Sequence, residues 1–183
     1  MQENCTVENS PRSLESAVRR LAPIVLGICV IVGLPGVCQA KNNCPWINEA
    51  TASGLLGGEA VGEMTDATVG QPATCIFTQI DKGAARTLRI SLERTVDPHH
   101  VLVSVAAGCG TNGTLLPAIG NEAVTCAIND RKIGLGERVV GRVRDQVFTI
   151  ALSTTVKDDP VLTREALKAR IYIAAEQVSG NLF

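Results

Sequence analysis

The chain has 183 residues, and its 17 lysines and arginines nearly balance its 18 aspartates and glutamates, which gives a formal net charge of −1 at pH 7. A chain with so little net charge has no long-range field that would attract nucleic acid or an anionic lipid surface, so neither is expected as a partner. Aromatic residues make up 3% of the sequence, which argues against carbohydrate binding and against stacking of single-stranded nucleic acid, since both use exposed aromatic rings.

A strongly apolar segment, residues 21–40, lies near the start of the chain. It follows the basic pair Arg19-Arg20 and ends in small residues just before Lys41. A basic flank, an apolar stretch and a small-residue exit are typical of a secretory signal peptide, so we expect cleavage near Lys41 and a secreted, periplasmic or cell-envelope protein. Two alternatives stay open, an uncleaved membrane anchor over 21–38 and a lipid attached to Cys38.

The predicted organisation is therefore a leader over residues 1–40 and a single extracytoplasmic domain over residues 41–183. Short amphipathic segments alternate in this domain with turns that contain glycine or proline, which is the pattern of a mixed helix and strand fold. In chain order we predict a helix over 46–56, a weak strand over 60–64, strands over 75–80 and 87–94, a helix over 98–107, strands over 125–128, 137–143 and 146–155, and a helix over 163–180. The alternating valines at 101–105 also fit a strand, although Asp97-Pro98 favours a helix start.

The order of elements appears twice along the domain. Thr74-Cys75-Ile76 and Thr125-Cys126-Ala127 fall at comparable points, and each is followed by hairpin strands and then a helical segment. Residues 88, 90 and 92 are apolar and alternate with polar residues, as in a strand with one buried face. The sequence thus predicts an α+β fold, an antiparallel sheet with helices packed on one face, and suggests two related halves.

Four cysteines, Cys44, Cys75, Cys109 and Cys126, follow the expected cleavage site. In an oxidising compartment an even number permits two disulfides. We favour Cys44–Cys75 with Cys109–Cys126 because each pairing joins a segment to a strand close behind it, and closing a loop of about 30 residues would stabilise the domain by roughly 3 kcal/mol. Buried free thiols are the alternative. A zinc site is disfavoured, since structural zinc sites use cysteines two to four residues apart.

A set of short motifs extends over most of the mature region. They are Cys44-Pro45-Trp46-Ile47, Leu55-Leu56-Gly57-Gly58, Cys75-Ile76-Phe77, Ile119-Gly120-Asn121-Glu122-Ala123, the hairpin from Val139 to Leu152 and the closing helix. This arrangement resembles exported lipoproteins of the domain-of-unknown-function 3558 group and the related extracellular sensor domains of membrane kinases. The resemblance implies an extracytoplasmic binding or sensing module and carries over no active-site residue. The chain departs from that group because it lacks a convincing lipid-attachment box before Cys38.

Few residues offer candidate chemistry. His99 and His100 are the two histidines and can in principle bind a transition metal or act as a base, but adjacent side chains diverge, so an exposed helix start is favoured. Cys109 lies between two glycines and is better explained as a turn held by a disulfide than as a reactive thiol. The Gly-Leu-Gly run at 134–136 lacks the third glycine of a phosphate loop and is predicted to form a hairpin turn. We expect no catalytic residue, cofactor or metal.

Arg138, Arg142 and Arg144 form a basic cluster around the strand predicted over 137–143. Because they share a parity, a regular strand would place them on one face, where they could contact an acidic ligand or a partner protein. The alternative is a solvated face on which Glu137 and Asp145 balance the arginines.

These observations favour a non-enzymatic, secreted or envelope-associated domain that binds or senses a small ligand or an envelope protein through its sheet face or the loops near Cys109. Two other hypotheses stay open. One is a structural envelope protein anchored in the membrane by residues 21–38. The other is an extracytoplasmic hydrolase or redox enzyme that uses a histidine or a reduced Cys109.

Overall fold

The computed structural model of the chain describes residues 44–130 and 134–183. The leader predicted over residues 1–40, with its cleavage site and Cys38, lies outside the described residues. Within the described ranges, no helix has the length and apolar character needed to cross a membrane.

Within the described residues, seven strands form one antiparallel sheet in the order β1-β2-β3-β7-β6-β5-β4. Their bounds are β1 Val61–Thr65, β2 Ala73–Asp81, β3 Ala84–Arg94, β4 Thr114–Leu115, β5 Glu122–Asp130, β6 Gly134–Val143 and β7 Gln146–Thr154. Two three-stranded meanders, β1-β2-β3 and β5-β6-β7, meet where β3 pairs with β7 and Ile90 lies opposite Ile150. The antiparallel α+β class predicted from the alternating pattern is confirmed.

Three α-helices in the described part of the chain accompany the sheet: α1 Glu49–Leu56, α2 Pro98–Ala106 and α3 Arg164–Gly180. A 3₁₀ helix, Ala107–Asn112, continues α2. Each α-helix begins after a capping side chain that accepts a hydrogen bond from a backbone N–H of the first turn. The caps are Asn48, Asp97 and Thr163. Such caps satisfy N–H groups that have no partner within the helix, which explains why α1 begins at Glu49, later than predicted.

The main hydrophobic core lies between the sheet and the pair α1 and α3. Alternate residues of the central strands supply the sheet side of this core, among them Phe77, Leu88, Ile90, Phe148 and Ile150. The helices contribute Leu56, Ile171, Ala174 and Val178. The predicted alternation in β3 therefore marks the core-facing side of the sheet.

Helix α2 packs on the opposite face of the sheet. Val140 is next to the core residue Val139, and Val147 is next to the core residue Phe148. Neighbouring residues of a strand point to opposite faces, so Val140 and Val147 lie on the face away from the main core, where they contact Leu102 of α2. The expectation that the helices share one face holds for α1 and α3, whereas α2 departs from it. The reason is that Val140 and Val147 give α2 an apolar surface of its own.

The two cysteine segments that suggested a repeat are not equivalent in the fold. Cys75 lies on β2, the middle strand of its meander, and belongs to the main core. Cys126 lies on β5, the first strand of its meander, and shares the parity of Val124 and Ile128 on the α2 face. The halves are similar in strand order, but their helices and disulfides lie on different faces.

The Gly-Leu-Gly run at 134–136 also differs from expectation, because it begins β6 instead of forming a turn. Gly134 has φ 89° and pairs with Asp130. At Gly136 a side chain would collide with the carbonyl oxygen of Leu152 on β7. Glycine is used here for a close approach between strands.

Candidate functional site

Both disulfides are present with the pairing that the sequence favoured. Cys44–Cys75 joins the entry segment to β2 with a Cα–Cα distance of 5.8 Å, and Cys109–Cys126 joins the 3₁₀ helix to β5 at 5.6 Å. Cys109 and Cys126 are also buried. Cys109 is therefore the anchor of a turn in this structure, and it offers no free thiol for chemistry.

The three arginines of the predicted cluster do not lie on one face. Arg138 and Arg142 are both on the α2 face of β6, as their parity requires. Arg144 comes after the end of β6, in the hairpin turn, with φ 54°. Its guanidinium carbon lies 5.9 Å from the centre of the Phe183 ring. Parity holds only within a strand, and the turn removes Arg144 from the predicted face.

Arg142 is already engaged within the protein. Its Nε donates to Glu122 Oε1, and Nδ1 of His99 lies 2.9 Å from the same oxygen. The hydrogen bond from Arg142, together with that of His99, holds the pKa of Glu122 below its ordinary value. This group of three side chains connects the first turn of α2 to β5 and β6, so we assign it a structural role.

The two histidines contact different residues, because neighbouring side chains at the start of a helix point in different directions. His99 contacts Glu122, whereas His100 has an exposed side chain and donates its backbone N–H to Asp97. Across residues 44–130 and 134–183, no group of three or more metal-ligating side chains comes together.

Arg138 has a counterpart that the sequence analysis missed. Ala151 on β7 pairs with Arg138 on one side and with Arg89 of β3 on the other. Paired residues point to the same face and lie about 5 Å apart per strand, so the two arginine Cα atoms are roughly 10 Å apart. In the described part of the chain, no carboxylate lies within ion-pair distance of either guanidinium.

Hydroxyl side chains flank this row of three residues on both sides. The neighbouring rows of the same face contain Thr78, Thr87 and Ser153 on one side and Thr74, Ser91 and Thr149 on the other. Each hydroxyl can donate one hydrogen bond and accept others. We call Arg89, Ala151, Arg138 and these six residues the arginine–hydroxyl face. Of the described helices, α2 with its 3₁₀ extension is the one that packs on this side of the sheet.

The acidic residues expected to balance the arginines lie elsewhere. Glu137 is adjacent to Arg138 in β6 and therefore points to the α3 side of the sheet, where it is buried. Asp145 pairs with Arg94 at 3.1 Å. Glu137 and Asp145 therefore do not balance the arginines of this face, and Arg142 is paired with Glu122 instead.

A buried ion pair also escaped the sequence analysis. Arg86 on β3 meets Asp159 of the segment before α3. The signal was present, since Arg86 shares the parity of the core residues Leu88 and Ile90. Although Asp159 and Arg86 are charged, we assign them to the framework because neither reaches the surface.

Comparison of this chain with models of protein families, with curated proteins and with solved structures found no match. The resemblance to exported lipoproteins and sensor domains consequently stays a prediction.

Proposed function

We propose that the domain acts outside the cytoplasm as a non-enzymatic binding or sensing domain, and that it recognises an anionic ligand through the arginine–hydroxyl face. One observation carries the proposal. Arg89 and Arg138 flank the small side chain of Ala151, and no described carboxylate pairs with either of them.

Two guanidinium groups in this arrangement suit a ligand with more than one negative charge. Each guanidinium presents planar N–H donors that match a carboxylate or a phosphate. The small side chain of Ala151 lies between them in the sheet. Threonine and serine hydroxyls flank this row at the level of the sheet. Thr74 and Ser91 contact each other, with 3.2 Å between their hydroxyl oxygens, and a hydroxyl that is not paired within the protein can donate to a ligand.

The extracytoplasmic part of the proposal rests on two features. Both cysteine pairs of the described domain are disulfides, and disulfides persist in oxidising compartments. The apolar segment 21–40 has the features of a secretory signal. The resemblance to extracellular sensor domains supports the same assignment and agrees with a role in binding.

The test is titration of the full chain, recovered after export, with citrate and with tripolyphosphate, followed by calorimetry and by backbone amide NMR. We expect R89A/R138A to weaken binding of at least one anion by about tenfold or more, equivalent to about 1.4 kcal/mol. The matched control, K157A/R164A, removes two exposed positive charges elsewhere and should leave the affinity within about twofold. Equal weakening by both double variants would point to bulk charge and would contradict a specific face.

A further inference from the structure

A cavity of about 400 Å³ lies between α3 and strands β4, β5 and β6, on the core side of the sheet. It exists because α3 packs over β6 and β7, while β4 is too short to extend the wall of the sheet. Its lining includes the apolar Leu116 and Ile171 with the polar Thr125, Glu137, Lys168 and Tyr172. A smaller cavity of about 200 Å³ shares Glu137 and Lys168, so the groove continues along α3.

Glu137 is the unusual member of this lining. It is 6% exposed and is flanked on β5 and β7 by Ala127 and Leu152. The Thr125 hydroxyl lies 3.1 Å from Glu137 Oε1 and also 3.1 Å from the carbonyl oxygen of Arg138. A hydroxyl has a single proton, which these two acceptors must share.

The second carboxylate oxygen has still less support. Oε2 of Glu137 receives no hydrogen bond from the described residues. No fully buried side-chain oxygen or nitrogen of these residues lacks a partner, so Oε2 keeps some contact with solvent. Because Glu137 lines the cavity, this is the space that we assign to Oε2. Lys168 borders the same space, but its ammonium group lies beyond ion-pair distance of Glu137 among the described contacts. A carboxylate removed from water needs donors, and the protein supplies few here.

We propose that this cavity is a second binding site, and that it takes a small molecule carrying an ammonium group. The ammonium donates to Glu137 Oε2, and the aliphatic part of the ligand lies against Leu116 and Ile171. Positions 168, 171 and 172 of α3 share one helix face, so a single turn presents a cation, an aliphatic side chain and a phenol to the ligand. The site lies on the opposite side of the sheet from the arginine–hydroxyl face.

The ammonium group could belong to a simple amine or to an amino acid, and Lys168 distinguishes these two classes of ligand. A simple amine needs only Glu137 and the apolar wall. An amino acid carries a carboxylate as well, which the exposed Lys168 can contact. We therefore compare butylamine with norleucine, and use butyrate as the probe that lacks the ammonium group.

The experiment is an amide NMR titration of the full, exported chain. We expect butylamine or norleucine to shift the amides of Ala127, Glu137 and Ile171, and butyrate to leave them unshifted. E137Q, which keeps the size of the side chain, should weaken binding by about tenfold or more. The control E176Q changes an exposed carboxylate of the same helix and should bind as the unmodified protein does. Tighter binding of norleucine than of butylamine that disappears in K168M identifies an amino acid, whereas equal binding of the two probes by the unmodified protein identifies a simple amine.

Three results would overturn the proposal: no shift of these amides by either ammonium probe, equal binding by E137Q, or equal binding of butyrate. If E137Q does not fold, T114W serves as the second variant, because Thr114 is exposed at the rim of the cavity and a larger ring there fills its entrance. T114W should abolish the butylamine shifts while citrate binding on the other face stays unchanged. Failure at one site is thus separable from failure at the other.

Discussion

Arg86 and Asp159 are 73 residues apart in the chain and form a two-point ion pair inside the protein, with Nε 2.7 Å from Oδ2 and Nη2 2.9 Å from Oδ1. The side chains are 3% and 0% exposed. Gln79 accepts a further hydrogen bond from the guanidinium, and Asp159 also accepts from the Thr154 hydroxyl. The pair therefore connects β2, β3 and β7 to the segment that leads into α3.

Removal of one partner of this pair should be severely destabilising. D159A leaves the Arg86 guanidinium buried without its carboxylate, and we expect a loss of about 3–5 kcal/mol in the free energy of unfolding. Urea unfolding measures this loss. R86M/D159L replaces both charges and should be less destabilised than the sum of the single variants R86M and D159L. Additive losses, or a cost of D159A near that of a surface substitution, would contradict a coupled buried pair.

The same carboxylate should make stability depend on pH in the acidic range. Burial opposes ionisation of Asp159, but hydrogen bonds from Arg86, from the Thr154 hydroxyl and from two backbone N–H groups outweigh it and hold the pKa of Asp159 well below its ordinary value. A depressed pKa in the folded state stabilises the protein above the unfolded-state pKa of about 3.9, and this contribution is lost as the pH falls below that value.

We therefore expect the stability difference between the unmodified protein and D159N to be largest near pH 7 and to shrink between about pH 4 and pH 2. Urea unfolding over this pH range provides the measurement. D158N is the matched control, since Asp158 is the exposed neighbour of Asp159. A difference for D159N that stays constant with pH would show that the carboxylate charge is not what stabilises the folded state.

The disulfide between Cys109 and Cys126 should contribute to stability through the unfolded chain. Its cysteines are 17 residues apart, for which the loop-entropy model gives about 3 kcal/mol. C109A/C126A should lower the free energy of unfolding by about that amount and raise hydrogen exchange in the 3₁₀ helix. Mass spectrometry of exported, unreduced protein should find all four domain cysteines blocked to alkylation. Alkylated Cys109 in native material would favour the redox hypothesis instead.

The contact among His99, Glu122 and Arg142 should stabilise the start of α2 and contribute little to the free energy of unfolding of the whole domain. The three side chains are partly exposed, so solvent screening limits their contribution, and we expect E122Q to cost less than about 1 kcal/mol. The visible effect should be faster hydrogen exchange in the first turn of α2. H99A alone should have a smaller effect, because Arg142 keeps its contact with Glu122. Equal exchange in E122Q and the unmodified protein would remove this contact as an anchor of α2.

The sequence predicted what depends on local pattern. Alternation at Leu88, Ile90 and Leu92 identified β3 and its buried side, and capping residues such as Thr163 identified where helices begin. The disulfide pairing followed from the distance between cysteines along the chain. The strands and helix starts depend on residues that are close in sequence, and the disulfide pairing depends on the length of the loop between two cysteines.

The candidate site was harder to predict because it depends on which strands become neighbours. Arg89 and Arg138 lie on either side of Ala151 on one face only because β7 inserts between β3 and β6. Nothing local in either segment specifies that strand order. Only the alternative interpretation placed Glu137 on a solvated face, although its parity with Val139 indicates burial. Arg144 was assigned to a strand face that ends one residue earlier. The side of the sheet chosen by α2 likewise depends on distant residues.

Both edges of the sheet are short, with five residues in β1 and two in β4. Edge strands expose backbone N–H and C=O groups to which a second chain can add a strand of its own, and long, flat, apolar edges are the ones that aggregate. In β1 the exposed Glu63 places a charge in the middle of the edge. The fold limits strand-to-strand polymerisation by ending its sheet in strands that offer a passing chain little backbone to pair with.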